Sequence, residues 1–151
     1  MITGLNHSGL VVEDLERSIH FYRDVIGLDL VRSIDRDGGP ISDVVGYENT
    51  HLKGTMLSLN DGHLIELIQY VRPEAAERPT QERAVLGGSH IAFNVDDIQK
   101  TMAELISNGA KQLNPPVETA PGRKVCYMQD PDGNWIELLE INEKAGLLAD
   151  A

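Results

Sequence analysis

The chain has 151 residues, 41% of them hydrophobic, and a formal net charge of -11. This is the length of one domain and the composition of an ordinary globular protein able to bury a real core. The acidic balance, with no basic run to offset it, argues against nucleic-acid and membrane partners, and no apolar stretch reaches the length of a bilayer span.

The single cysteine, Cys126, rules out an intrachain disulfide and favours a reducing, cytoplasmic compartment. Its neighbours Val125, Tyr127 and Met128 alternate as in a strand, so the thiol reads as buried and inert. Residues 1–9 lack the basic and apolar regions of a secretion signal, and a soluble, unprocessed chain is expected.

Taken in order, the elements fall into two copies. The first opens with Gly4-Leu5-Asn6-His7, reaches Glu13-Asp14, and continues as a helix capped by Asp14, striped by Leu15, Ile19, Tyr22 and Ile26 and stopped by Gly27. Strands are predicted at 28–33 and 55–59, and Asp61-Gly62 turns the chain into a last strand around Leu64-Ile65-Glu66-Leu67-Ile68. Residues 72–87, with Pro73 and Pro79, read as a linker with a short helical turn at Pro73–Glu77.

The second copy repeats the pattern from Gly87-Gly88-Ser89-His90. Asp97 caps a helix striped by Ile98, Met102, Leu105 and Ile106 and stopped by Gly109. Strands follow at 111–113 and 124–129, and Asp132-Gly133 leads into Trp135-Ile136-Glu137-Leu138-Leu139. Leu15 and Ile98 each lie eight residues after their histidine. The histidines are spaced more widely than the glutamates, so copy one carries about a dozen extra residues, placed as a loop at 35–49. The expected organisation is a single domain, 1–151, with module one at about 3–71, a linker at about 72–87, module two at about 88–141 and a tail at 142–151.

Glu66 and Glu137 are the informative residues, because an ionised carboxylate amid aliphatic neighbours is costly unless something compensates it. Two glutamates converging on one cavity would repel, and two neutral imidazoles would not relieve them, whereas a divalent cation would. A lone strand histidine or glutamate is ordinary. A histidine and a glutamate at matching points of both copies make His7, Glu66, His90 and Glu137 a candidate site for one divalent metal ion, Zn, Ni, Co, Mn or Fe(II).

At these residues the chain resembles the vicinal-oxygen-chelate superfamily of glyoxalases, epimerases, extradiol dioxygenases and bleomycin or fosfomycin resistance proteins. The resemblance is carried by Asn6-His7, Asp14-Leu15, Phe21-Tyr22, Ile65-Glu66-Leu67, His90-Ile91-Ala92-Phe93 and Asp130-Pro131-Asp132-Gly133-Asn134 followed by Ile136-Glu137-Leu138. It implies an α+β fold of two tandem βαβββ modules forming a curved mixed sheet around a metal cleft, with those four residues as ligands. It also implies a homodimer and a small carbonyl substrate.

Members with four such ligands generally move a proton next to a carbonyl through a metal-stabilised enediolate. Glu137 and Glu66 are the candidate bases, with Glu137 preferred. An Fe(II) ring-cleaving dioxygenase and a non-catalytic drug- or metabolite-binding resistance protein are the alternatives. Bacterial glyoxalase I usually carries arginine and asparagine four residues after its first and second ligands, for glutathione. Here those positions hold Val11 and Tyr70. Tyr70, His51, His63, Arg123 and Tyr127 are candidate pocket residues, and Glu48 reads as a solvated loop charge, with an independent second base as its alternative role.

Overall fold

The computed structural model describes residues 1–142, so all but the first residue of the expected tail lies outside it. The chain divides into two compact units, the first Met1–Pro79 and the second starting at Thr80.

Unit one runs β1 (Ser8–Val11), α1 (Leu15–Ile19), a π-helical continuation (His20–Val25), β2 (Asp29–Asp37), α2 (Pro40–Val45), β3 (His51–Ser58) and β4 (Leu64–Arg72). Its sheet has the order β1-β4-β3-β2, with β1 parallel to β4 and the other pairs antiparallel. Unit two runs β5 (His90–Asn94), α3 (Ile98–Ser107), β6 (Lys111–Gln112), β7 (Val117–Ala120), β8 (Arg123–Gln129) and β9 (Trp135–Ile141). Its sheet repeats the pattern as β5-β9-β8-β6, with β5 parallel to β9 and β7 also paired to β8. The α+β class expected from the sequence is observed, with the mixed strands arranged as two sheets.

The caps work as the sequence predicts. Asp14 accepts from the Arg17 amide at 3.1 Å and Asp97 from the Lys100 amide at 2.9 Å, which satisfies donors that the first helical turn leaves free. Gly27 and Gly109, at φ 95° and 97°, take the left-handed turn that ends each helix.

Each helix covers one face of its sheet. In unit one α1 lies over β4 and β3, and Leu15, Ile19, Phe21 and Tyr22 are buried with Leu57, Ile65 and Leu67. In unit two Ile98 and Leu105 are buried with Phe93, Cys126, Met128, Ile136 and Leu138. Strand alternation therefore sends Glu66 and Glu137 to the opposite face from the helix. Cys126 is fully buried and its thiol is pushed up by burial, so little of it is thiolate.

Four local expectations need correction. The first helix ends in a π-helical stretch, with the Ile26 amide donating to the Phe21 carbonyl at 3.0 Å. Adjacent Phe21 and Tyr22 thus both enter the core, ring centroids 5.4 Å apart at 80°. Within the predicted loop 35–49, β2 continues to Asp37 because His51 and its neighbours pair with it, and α2 starts at Pro40 and stops at Gly46 (φ 76°). Residues 73–74 form only a turn and 75–77 are irregular, since Arg72 offers no cap and no apolar stripe follows. In unit two Pro115 and Pro116 cannot donate to a ladder, so the strand that would match β2 breaks into β6 and β7, and Ile106 is exposed at 41%.

Glu140, on β9, ties the start of α3 to the sheet. Its carboxylate accepts from the Ile98 amide at 2.9 Å and from Lys124 Nζ at 2.7 Å. The amide bond first, and then Lys124, hold its carboxyl below the usual range. A lowered value stabilises the fold above the ordinary carboxylate range, and that stabilisation is lost as pH falls through the lowered value. Glu140→Gln is therefore expected to be less stable than wild type at neutral pH, and denaturant titrations of the two should converge in acid. A gap that persisted or widened in acid would exclude this origin. Among the described residues no helix is long and apolar enough to cross a membrane.

Candidate metal half-sites

In unit one β1 lies against β4 in a register that pairs Gly9 with Glu66. His7, two residues before Gly9, projects to the same side and brings Nε2 to 3.1 Å from Glu66 Oε2. The Glu66 side chain is 16% exposed and that of His7 35%, so the pair is sheltered but open on one side. The other imidazole nitrogen, Nδ1, is 2.7 Å from Asn6 Oδ1. An amide oxygen only accepts, so Nδ1 carries the proton, and Nε2 of a neutral ring meets the carboxylate acceptor to acceptor. That contact is repulsive unless a cation, either a proton or a metal ion, lies between the two atoms. An imidazole nitrogen beside a carboxylate oxygen is a donor pair that divalent transition ions take. Gly9 keeps the space beside Glu66 clear, since a Cβ there would stand 3.8 Å from Glu66 Oε2.

Unit two reproduces the arrangement. Register pairs Ala92 with Glu137 on β5 and β9, again a small residue beside the carboxylate, and His90 Nε2 is 3.2 Å from Glu137 Oε2. Tyr127 on β8 is the register partner of Glu137. Its hydroxyl lies 3.5 Å from His90 Nε2, and its ring stands edge-on to the imidazole with centroids 5.2 Å apart. Burial, then the Glu137 charge and the hydrogen bond to it, push the phenol above its ordinary value, with Arg83 acting the other way. At neutral pH the phenol is a donor to its neighbours.

Each unit thus brings one of the predicted histidines onto one of the predicted glutamates. Among the described residues no group of three or more His, Cys, Asp and Glu side chains is placed to hold an ion.

The other predicted residues fall in different surroundings. Tyr70 is on the Glu66 side of β4, its ring edge-on to Tyr47 at 6.1 Å. His51 is engaged elsewhere, with Nε2 2.8 Å from Asp35 and Nδ1 3.9 Å from Asp37. Arg123 is exposed at the far end of β8, four residues from Tyr127. His63 sits on the β3–β4 turn beside Asp61, largely exposed, and Glu48 is an exposed turn residue.

Arg83 was not foreseen. It lies in the predicted linker, yet its guanidinium carbon is 4.4 Å from the Tyr127 ring centroid and 5.1 Å from that of Trp135. The only signal in the sequence is a cation a few residues before the candidate histidine His90, and spacing alone cannot fold a linker back over a sheet.

The profile of the Glyoxalase/Bleomycin resistance protein/Dioxygenase superfamily matches residues 4–138. This chain belongs to that superfamily. It is 31% identical over 145 residues to the lactoylglutathione lyase of Haemophilus influenzae, covering 93% of this chain and 96% of that one. A crystal structure of a glyoxalase family protein from Bacillus cereus superposes with a TM-score of 0.86 at 25% identity, over 94% of this chain and 97% of the other. A variant of the fosfomycin resistance protein FosX from Listeria monocytogenes, solved with Mn(II) and a dihydroxypropylphosphonic acid, shares the fold with a TM-score of 0.61 at 21% identity, over 98% and 99% of the two chains.

Proposed function

We propose that this superfamily member is a metal-dependent lyase or isomerase of the glyoxalase I or epimerase type, transferring a proton next to a carbonyl of a small molecule. His7, Glu66, His90 and Glu137 hold one divalent ion, supplied by one chain or by two copies of it in a homodimer. The observation that supports this is the repetition of one His–Glu contact, 3.1 Å and 3.2 Å, at matching register positions of the two units. A small residue, Gly9 or Ala92, lies beside each carboxylate.

The bound ion would supply Lewis-acid stabilisation of negative charge developing on substrate oxygens. The chain's own residues do the rest. Glu137, 17% exposed, is sheltered enough to act as a base and open enough to reach a substrate carbon. It takes the proton from the carbon beside the carbonyl and returns it on the same face to the adjacent carbon; for inversion at one carbon, Glu66 is the candidate acid that delivers a proton to the other face. Tyr127 keeps its hydroxyl proton and holds Glu137 and His90 in place. Asn6 fixes the ring orientation of His7. Val11 and Tyr70 replace the residues that usually meet glutathione, which favours a substrate other than a glutathione adduct.

The test is solvent deuterium exchange into a panel of 2-oxo and 2-hydroxy carbonyl compounds, beside metal analysis of gently purified protein. Deuterium is expected at the carbon next to the carbonyl, and activity should vanish on chelation and return with a redox-inactive ion such as Zn or Ni. Turnover only with iron and oxygen would favour the dioxygenase alternative. Tight ligand binding by metal-free protein without exchange would favour a binding protein.

A further inference from the structure

Arg83 is a cation without a counter-charge. Among the described residues no carboxylate stands within ion-pair distance of it, and its contacts are the faces of Tyr127 and Trp135 at 4.4 Å and 5.1 Å. Stacking on rings occupies the flat faces of a guanidinium and leaves its five N–H donors, which lie in the plane, unspent.

The segment carrying Arg83 is held in place. Gln81 Oε1 accepts from Gln129 Nε2 at 2.8 Å, which anchors the segment to β8. The Gly88 amide donates to the Val85 carbonyl at 2.9 Å, and a Cβ at Gly88 would come within 2.6 Å of the Arg83 carbonyl oxygen, so only glycine closes this turn. Trp135, Glu137 and Tyr127 share one face of the β8–β9 pair, as their register requires. Arg83 therefore overhangs the side of the sheet that carries the Glu137–His90 pair, with Tyr127 touching both.

We propose that Arg83 is the recognition group for an oxyanion substituent, carboxylate or phosphate, on the carbonyl substrate that reacts at the Glu137–His90 pair. This rests on the function proposed above. The planar fork matches two oxygens of either anion, and the ring stack holds it ready, so little ordering is needed on binding. The substrate class narrows to oxo acids or phosphorylated carbonyl compounds.

Trp135 is the one tryptophan of the chain, so its fluorescence reports on Arg83 directly. Wild-type protein titrated with succinate, with inorganic phosphate and with neutral succinamide should respond to one or both anions and not to the amide. Arg83→Gln should weaken that response at least about tenfold, with Arg83→Lys in between, because it keeps the charge and loses the fork. Glu82→Gln, a neighbouring change of charge, should bind as wild type does. In the exchange assay Arg83→Gln should raise KM for an anionic substrate about tenfold with kcat kept, and leave its neutral ester unchanged. Equal anion binding by wild type and Arg83→Gln, or equal effects on anionic and neutral compounds, would overturn the assignment. Absence of exchange with every substrate would overturn the proposed function, while the fluorescence titration would still decide the role of Arg83.

Discussion

Glu137→Gln is expected to lower proton exchange by about a thousandfold or more while the protein stays folded. Glutamine keeps the shape and one acceptor oxygen, so Tyr127 retains a partner, but an amide cannot take a proton from carbon at neutral pH. Glu66→Gln should lower activity less once the protein is saturated with metal. Both variants lose an anionic ligand, so each should weaken divalent binding by more than about a hundredfold, measured by competition with a chromophoric chelator. The double variant is the sharper test. If both pairs hold one ion, the second substitution acts on a site already lost and the losses do not add. Additive losses would mean that each pair binds its own ion. Exchange that survives in Glu137→Gln and disappears in metal-saturated Glu66→Gln would move the base to unit one.

The largest effects on stability are expected from Leu67→Ala and Leu138→Ala, each costing about 3–5 kcal/mol. Leu67 is 0% exposed and Leu138 1%, and each neighbours one of the two strand glutamates in sequence while pointing to the opposite, helix-covered side. Both lie on strands paired on both sides, β4 between β1 and β3 and β9 between β5 and β8, which cannot shift to fill a void without breaking ladders. Against a total of about 5–15 kcal/mol for a domain of this size, either change removes much of the margin. Denaturant unfolding at neutral pH measures it. A cost below about 1 kcal/mol would mean that these cores are not packed as described.

Much of this protein was legible because local chemistry and tertiary structure agree. Asp14 and Asp97 precede apolar stripes, and each is found accepting from the amide three residues on. The turns at Asp61-Gly62 and Asp132-Gly133 carry glycines at φ 92° and 82°, as a tight reversal requires. Glu66 and Glu137 could be singled out because a carboxylate between aliphatic residues needs an explanation, and each was found against the histidine of its own copy. The misreadings share a cause. The π-helical stretch at His20–Val25, the helix Pro40–Val45 and the strand Val117–Ala120 are short segments whose form is set by what they pack or pair against.

The duplication, the helix caps and stops, the two glycine turns and the identity of the His–Glu pairs could be read from residue order, since each depends on groups close in sequence or on the repetition of a pattern. Tertiary structure alone decided which nitrogen of His7 faces its carboxylate, that Tyr127 stands between His90 and Arg83, and that His51 is taken up by Asp35. Strand register and the path of a connecting segment produce these contacts, and both result from the sheet as a whole. No short stretch of sequence encodes the distance between side chains that only pairing brings together.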